Sequence, residues 1–272
     1  MRIRSIVAVI FALFAITGLV CAQDVSISGT IGGRVTLLQT FGIALHSDVT
    51  LTSGDFKLGG STDFDIYPTP GGNGTLWTEY SLGMVTLGGE IYLGILPLSF
   101  SSMDIYADAD LFSFKSDDGF LSFSGRLKLW VGIYPSFTST LTSTLSFAAG
   151  PVSAKSTTIL DLLPFGFSSQ DLSFEVAFLD TTIGDNGPSL NGKLGGDFPI
   201  YPSFSGTVWV SLTAGLNGIT FTSKTTFAVV PFGFSSQYVK MDFAFSPFDL
   251  YVSATFTTTD PQVEAGVSYS FP

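Results

Sequence analysis

Apolar and polar residues alternate along almost the whole chain after the first two dozen positions. Between Asp24 and Phe41, Val25, Ile27, Ile31, Val35 and Leu37 share one parity and Ser26, Ser28, Thr30, Arg34 and Thr36 the other. A period of two predicts a β-strand with one apolar and one polar face. Next, Ile43, Leu45, Val49 and Leu51 stand against His46, Asp48, Thr50 and Thr52, and Phe56, Leu58, Phe64 and Ile66 against Lys57, Asp63 and Asp65. Farther on, Met103, Ile105, Ala107, Ala109 and Leu111 alternate with Asp104, Tyr106, Asp108 and Asp110. Leu121, Phe123, Leu127, Leu129, Val131 and Ile133 do so with Ser122, Ser124, Arg126 and Lys128. An acidic row followed by a basic row on the polar face suits cross-strand pairing. No helical period occurs after Ala22, so the fold class is all-β.

Two motifs recur every 67 residues. Ile-Tyr-Pro occurs at 66–68, 133–135 and 200–202, and a second proline marker at Pro97, Pro164 and Pro231. Repeats of this kind bury their apolar faces by pairing with their neighbours. The expected units are residues 24–67, incomplete, then 68–134, 135–201 and 202–272. Three strands in the first and about four in each of the others make fifteen.

Composition decides what the apolar face meets. Charged residues are 12% of the chain and mean hydropathy is +0.44, with 30 Gly and 27 Phe. The part after residue 22 has no apolar run near the ~18 residues of a membrane helix. Residues 1–22, with Arg2 and Arg4 ahead of an apolar stretch from Ile6 to Val20 and cleavage after Ala22, have the form of a secretory signal peptide. A lipoprotein reading of Cys21 is disfavoured by Val20 before it. Cleavage removes the one cysteine and two of eleven basic residues, which leaves nine against 22 acidic and a net charge of −13. Nucleic acid is excluded as a partner. Residues 23–272 form one domain.

Charge parity separates a membrane barrel from a soluble sandwich. Arg34, Lys57, Arg126, Lys128, Lys155, Lys193, Lys224 and Lys240 all share the polar parity, and Lys115 is the exception. A charge on a lipid face at mid-bilayer costs about 2–4 kcal/mol, so exclusion from that face is expected in lipid. A soluble sandwich explains the alternation but calls for more surface charge. It also leaves Tyr67, Tyr134, Tyr201, Phe165, Phe167, Phe232 and Phe234 beside turns without a reason, whereas an interfacial girdle needs them there.

The C-terminal segment carries Val263, Ala265, Val267, Tyr269 and Phe271 on one face. It resembles the closing strand of Gram-negative outer-membrane β-barrels, departing from it in Pro272 after the terminal aromatic. The resemblance implies a porin-like transmembrane antiparallel barrel in the outer membrane, with lipid and the barrel-assembly machinery as partners. Such barrels have even strand numbers, so 14 to 16 are expected.

A lumen this wide predicts a passive pore for small hydrophilic solutes or ions. The expected pore-lining charges are Arg34, Asp104, Asp108, Asp110, Arg126, Lys128, Lys155, Lys193, Lys224, Lys240 and Asp242. With eight basic against about fourteen acidic residues on that face, a weak cation preference follows. A ladder of Asp104, Asp108 and Asp110 with Arg126 and Lys128 is expected across the wall. A non-conducting structural or adhesive protein is the competing reading. A hydrolase built on His46 and Asp48 can also be drawn, but no catalytic, cofactor or metal site is expected. The Gly-rich pieces at 71–74 and 184–187 read as hairpin turns, and Trp77 and Trp209 as interface anchors.

Overall fold

A computed structural model describes residues 25–37, 41–184 and 187–271. The expected signal peptide, Cys21 and Pro272 lie outside the described residues. Before Pro68 come β1 (Val25–Thr36), β2 (Gly42–Ser53) and β3 (Phe56–Tyr67). Between the first and second Ile-Tyr-Pro motifs lie β4 (Gly71–Leu82), β5 (Val85–Gly94), β6 (Ser99–Lys115) and β7 (Leu121–Tyr134). Then follow β8 (Thr138–Ala149), β9 (Val152–Leu163), β10 (Phe165–Thr182) and β11 (Ser189–Tyr201). The last part holds β12 (Thr207–Leu216), β13 (Ile219–Val229), β14 (Phe232–Phe245), β15 (Phe248–Thr257) and β16 (Gln262–Phe271).

The sixteen strands form one antiparallel sheet in sequence order, closed where β1 pairs with β16, from Gly29 opposite Phe271 to Thr36 opposite Glu264. The segment after Pro202 contains five strands, and the fifth closes the ring. This corrects the tally of fifteen: the strand that completes the first, three-stranded group comes from the other end of the chain. Closure removes every free sheet edge, so each strand finds its backbone partners inside the sheet.

Because the strands run alternately up and down, successive connections fall on opposite rims. One rim holds the turns with Pro68, Pro97, Pro135, Pro164, Pro202 and Pro231, all preceded by cis peptide bonds. Proline suits a rim because it has no N–H to offer the ladder. Six of the seven connections on the other rim contain a glycine at positive φ. At Gly83 nothing lies within 4 Å of a would-be Cβ, so backbone conformation rather than crowding selects glycine there.

The recurring motifs also mark β-bulges. Ile66, Ile133 and Ile200 are the extra residues at register shifts between β2 and β3, β6 and β7, and β10 and β11. Ser101, Ser168 and Ser235 are the extra residues at shifts between β5 and β6, β9 and β10, and β13 and β14. Bulges collect at barrel rims, where they end regular pairing and sharpen twist. At this rim Phe41 and Phe100 pack tilted against Tyr67 and Tyr134, and Phe167 edge-on against Tyr201, with centroids 5.6, 4.9 and 4.8 Å apart.

Candidate functional site: the polar wall

One face of the closed sheet carries the large apolar side chains, many of them about half exposed, such as Val25, Ile31, Leu45, Leu145 and Leu212. The other face is polar and concave. Among the described residues four of the six buried side chains, Ala44, Tyr106, Asp108 and Ser253, share its register, while Ser53 and Ser139 fall on the apolar face.

Ladder register assigns the charges. Arg34 stands opposite Ala44 and Gly266, Lys155 opposite Ser146 and Ser173, and Lys224 opposite Ser211 and Tyr238, all on the polar face. Lys193 bonds Glu175 at 2.8 Å, and Lys240 bonds Asp242 at 2.6 Å. Lys115 corrects the sequence reading. A bulge at Leu111, between the pairs Asp110–Arg126 and Phe112–Gly125, shifts the parity, and Lys115 comes opposite Ser122 on the polar face. A second bulge at Phe178 similarly brings Asp180 to that face, opposite Asn191. Asp249 also joins, opposite Ser268. The face thus holds nine basic and sixteen acidic residues, a net of seven negative charges rather than six.

The expected acid–base ladder narrows to one centre. Arg126 donates two bonds to Asp108, Nε to Oδ1 at 2.6 Å and Nη2 to Oδ2 at 2.5 Å, and Lys128 approaches the same carboxylate at 4.0 Å. Asp108 is only 4% exposed, so the bidentate geometry balances a desolvated charge. Among the described residues neither Asp110, opposite Arg126, nor Asp104, opposite Gly132, makes an ion pair within 4.0 Å. Glu79 accepts the Tyr106 hydroxyl at 2.5 Å, and Glu90 accepts the Tyr92 hydroxyl.

Trp77 and Trp209 are not interface anchors. Trp77 shares its face with Glu79 and lies over Gly59 of β3, while Trp209 lies over Gly195 of β11. Each indole occupies the space that a side chain on the opposite glycine would need. Alternation alone would have placed both rings, since Trp77 and Glu79 share parity. The reason for the position, a glycine directly across the ladder, lies on another strand.

His46 donates from Nδ1–H to Asp63 Oδ1 at 3.0 Å across β2 and β3, not to Asp48. Both partners are exposed, and among the described residues no serine hydroxyl bonds this ring. In the β6–β7 turn the Asp118 carboxyl is held below its ordinary value by the Ser116 hydroxyl and the Phe120 N–H.

No protein-family model matches the chain, and no curated protein matches it. Solved structures do. A multiply substituted variant of the Rhodopseudomonas blastica porin is similar over 91% of this chain and 100% of its own, at 10% identity and a TM-score of 0.52. A bacterial polysaccharide outer membrane secretin is similar over 90% of this chain and 98% of its own, at 8% identity and a TM-score of 0.53. CdiB from Acinetobacter baumannii is similar over 92% of this chain, which spans 60% of that protein, at 8% identity and a TM-score of 0.55. The chain has a porin-like β-barrel fold. At these identities the likeness extends to the fold alone.

Proposed function

We propose that residues 23–272 form an outer-membrane pore, exported by the signal peptide at 1–22, that passes small hydrophilic solutes and ions with a weak cation preference. The observation that carries this reading is the closed sixteen-stranded barrel with an apolar outer face and a charged inner one. A lumen of this strand number is too wide for side chains alone to fill. The longest strand connection, residues 183–188, is too short to plug it. The pore-lining residues are Arg34, Asp104, Asp108, Asp110, Arg126, Lys128, Lys155, Lys193, Lys224, Lys240 and Asp242, joined by Lys115. Lipid and the barrel-assembly machinery are its partners, and no catalytic step is assigned to it.

The cation preference is assigned to Glu79, Glu90 and Asp104, which make no ion pair within 4.0 Å among the described residues, rather than to Asp108, whose charge Arg126 offsets. In a lumen wider than a Debye length, about 8 Å at physiological salt, screening keeps the preference weak. Recording from purified protein in planar bilayers tests this. Stable conductance steps are expected, with a reversal potential of cation sign across a salt gradient. Silence at all voltages would favour a structural or adhesive role, and anion selectivity would overturn the charge assignment.

A further inference from the structure

Four aromatic side chains on the polar wall are laid over glycines of a neighbouring strand. Trp77 faces Gly59, Tyr106 faces Gly88, Trp209 faces Gly195 and Tyr251 faces Gly266, each in a direct cross-strand pair. A Cβ on any of these glycines would stand 2.3 Å from the ring. One face of each ring is therefore turned to backbone, and the other faces the lumen.

At three of the four, the chain's own lysine covers that open face. Lys128 Nζ lies 4.1 Å from the Tyr106 centroid, Lys224 Nζ 4.3 Å from Trp209 and Lys240 Nζ 5.1 Å from Tyr251. These distances are within the range at which the ring quadrupole attracts an ammonium. Trp77 differs. Among the described residues no lysine or arginine stands over its ring. Directly across the ladder from Trp77 is Glu90, and across from Glu90 is Asp104. Neither carboxylate has a basic partner within 4.0 Å among the described residues. Lys57, two positions from Gly59, faces Glu79 instead. Like charges directly opposite one another are unfavourable in a sheet. As at Tyr106 and Tyr251, carboxylates accompany the ring here, but among the described residues no side chain supplies a cation over it.

We propose that Trp77, Glu90 and Asp104 hold an organic ammonium solute in the place that a lysine ammonium takes on the other three rings. The carboxylates answer its charge, and the indole face answers its alkyl groups and charge together. Quaternary and alkylated ammonium ions are the class that fits, because an aromatic face binds them without needing N–H donors. The inference rests on the inner-wall placement proposed above but not on conduction, so its test reads binding directly.

Residues 23–272, refolded in an uncharged polyoxyethylene detergent and carrying Trp130→Phe and Trp209→Phe, retain Trp77 as their one indole. Titration with tetramethylammonium chloride is expected to give a saturable fluorescence change that matched sodium chloride does not. Glu90→Gln with Asp104→Asn should weaken the apparent affinity about ten-fold. A sister protein retaining only Trp209 should stay unresponsive, because Lys224 covers that ring. Equal responses from the two indoles, or an affinity unmoved by the carboxylate changes, overturn the proposal. If the aromatic replacements prevent folding, calorimetric titration of tetramethylammonium into the native protein decides. Binding heat that falls in Glu90→Gln supports the site, and no heat in the native protein overturns it. Absent binding with conductance intact would sink this site and leave the pore; binding without conductance would do the reverse.

Discussion

Two stretches of the polar wall, β4–β7 and β8 with β12 and β13, share a ladder geometry but differ in chemistry. On β4–β7 the wall carries Glu79, Glu90, Asp104, Asp108, Arg126 and Lys128 among Trp77, Tyr92, Tyr106 and Trp130. On β8 the same face is Thr138, Thr140, Thr142, Thr144 and Ser146, and on β12 and β13 it is mostly Thr and Ser around Lys224. Hydroxyls need no partner of opposite sign and stay wet. Carboxylates in a row must be paired, bridged by phenols or left to mobile cations, so β4–β7 is where structure is demanding and where solute chemistry should be felt.

The largest expected contrast is in stability. Asp108→Ala removes the buried acceptor of the Arg126 fork and should cost about 1–3 kcal/mol, less than a fully buried broken pair because Arg126 reaches water. Thr142→Ala, on the hydroxyl side, should stay within about 0.5 kcal/mol. Urea midpoints of both variants, followed by heat-modifiable gel migration, test the comparison, and equal midpoints would break it.

A somewhat smaller effect is expected at the glycines. Gly88→Ala places a methyl where the Tyr106 ring lies, 2.3 Å away. The ring must swing out and release Glu79, a cost of about 1–2 kcal/mol. Gly233→Ala, with nothing within 4 Å of its Cβ position, should be nearly neutral. If both glycines tolerate alanine equally, the rings are not held by the backbone beneath them.

Selectivity sharpens the same contrast with a lesser shift. Glu79→Gln with Glu90→Gln should move the reversal potential toward zero at low salt, and Thr142→Ala with Thr144→Ala should leave it alone. At about 1 M salt, where the Debye length is about 3 Å, the difference should vanish.

The smallest effect lies outside the wall, at Asp118 in the β6–β7 turn. Its folded pKa is lowered, so its contribution to the turn is fully present above the ordinary value of 3.8 and is lost as pH falls through the lowered one. An NMR titration showing Asp118 ionising at or above an ordinary aspartate would contradict the hydrogen bonds from Ser116 and Phe120.

Much of this was legible along the chain. Alternation through Met103–Leu111 and Leu121–Ile133 placed Asp108, Arg126 and Lys128 on one face without any knowledge of pairing, because side-chain direction in a strand has a period of two. The direct tally stopped at fifteen, within the expected 14 to 16, because β16 completes a group begun by β1, β2 and β3, and no local signal joins the two chain ends. Lys115 was misassigned because a bulge is a mismatch between two strands, invisible in either one read alone. The tryptophans' face was legible from parity; what was not is why they sit there, since Gly59 and Gly195, which make room for them, precede them by 18 and 14 positions.

By itself, the sequence determined the strand period, the sorting of charge to one face, the recurrence of Ile-Tyr-Pro and the presence of a closing segment. Only the tertiary structure decided the register. That includes the bulges at Ile66, Leu111 and Phe178, the choice of Asp108 rather than Asp104 as the partner of Arg126, and the three rings covered by lysine against the one left open. Side-chain parity is set within a strand by its own backbone. Which residue meets which is set between strands, where each bulge shifts every later pair by one and flips the faces that follow.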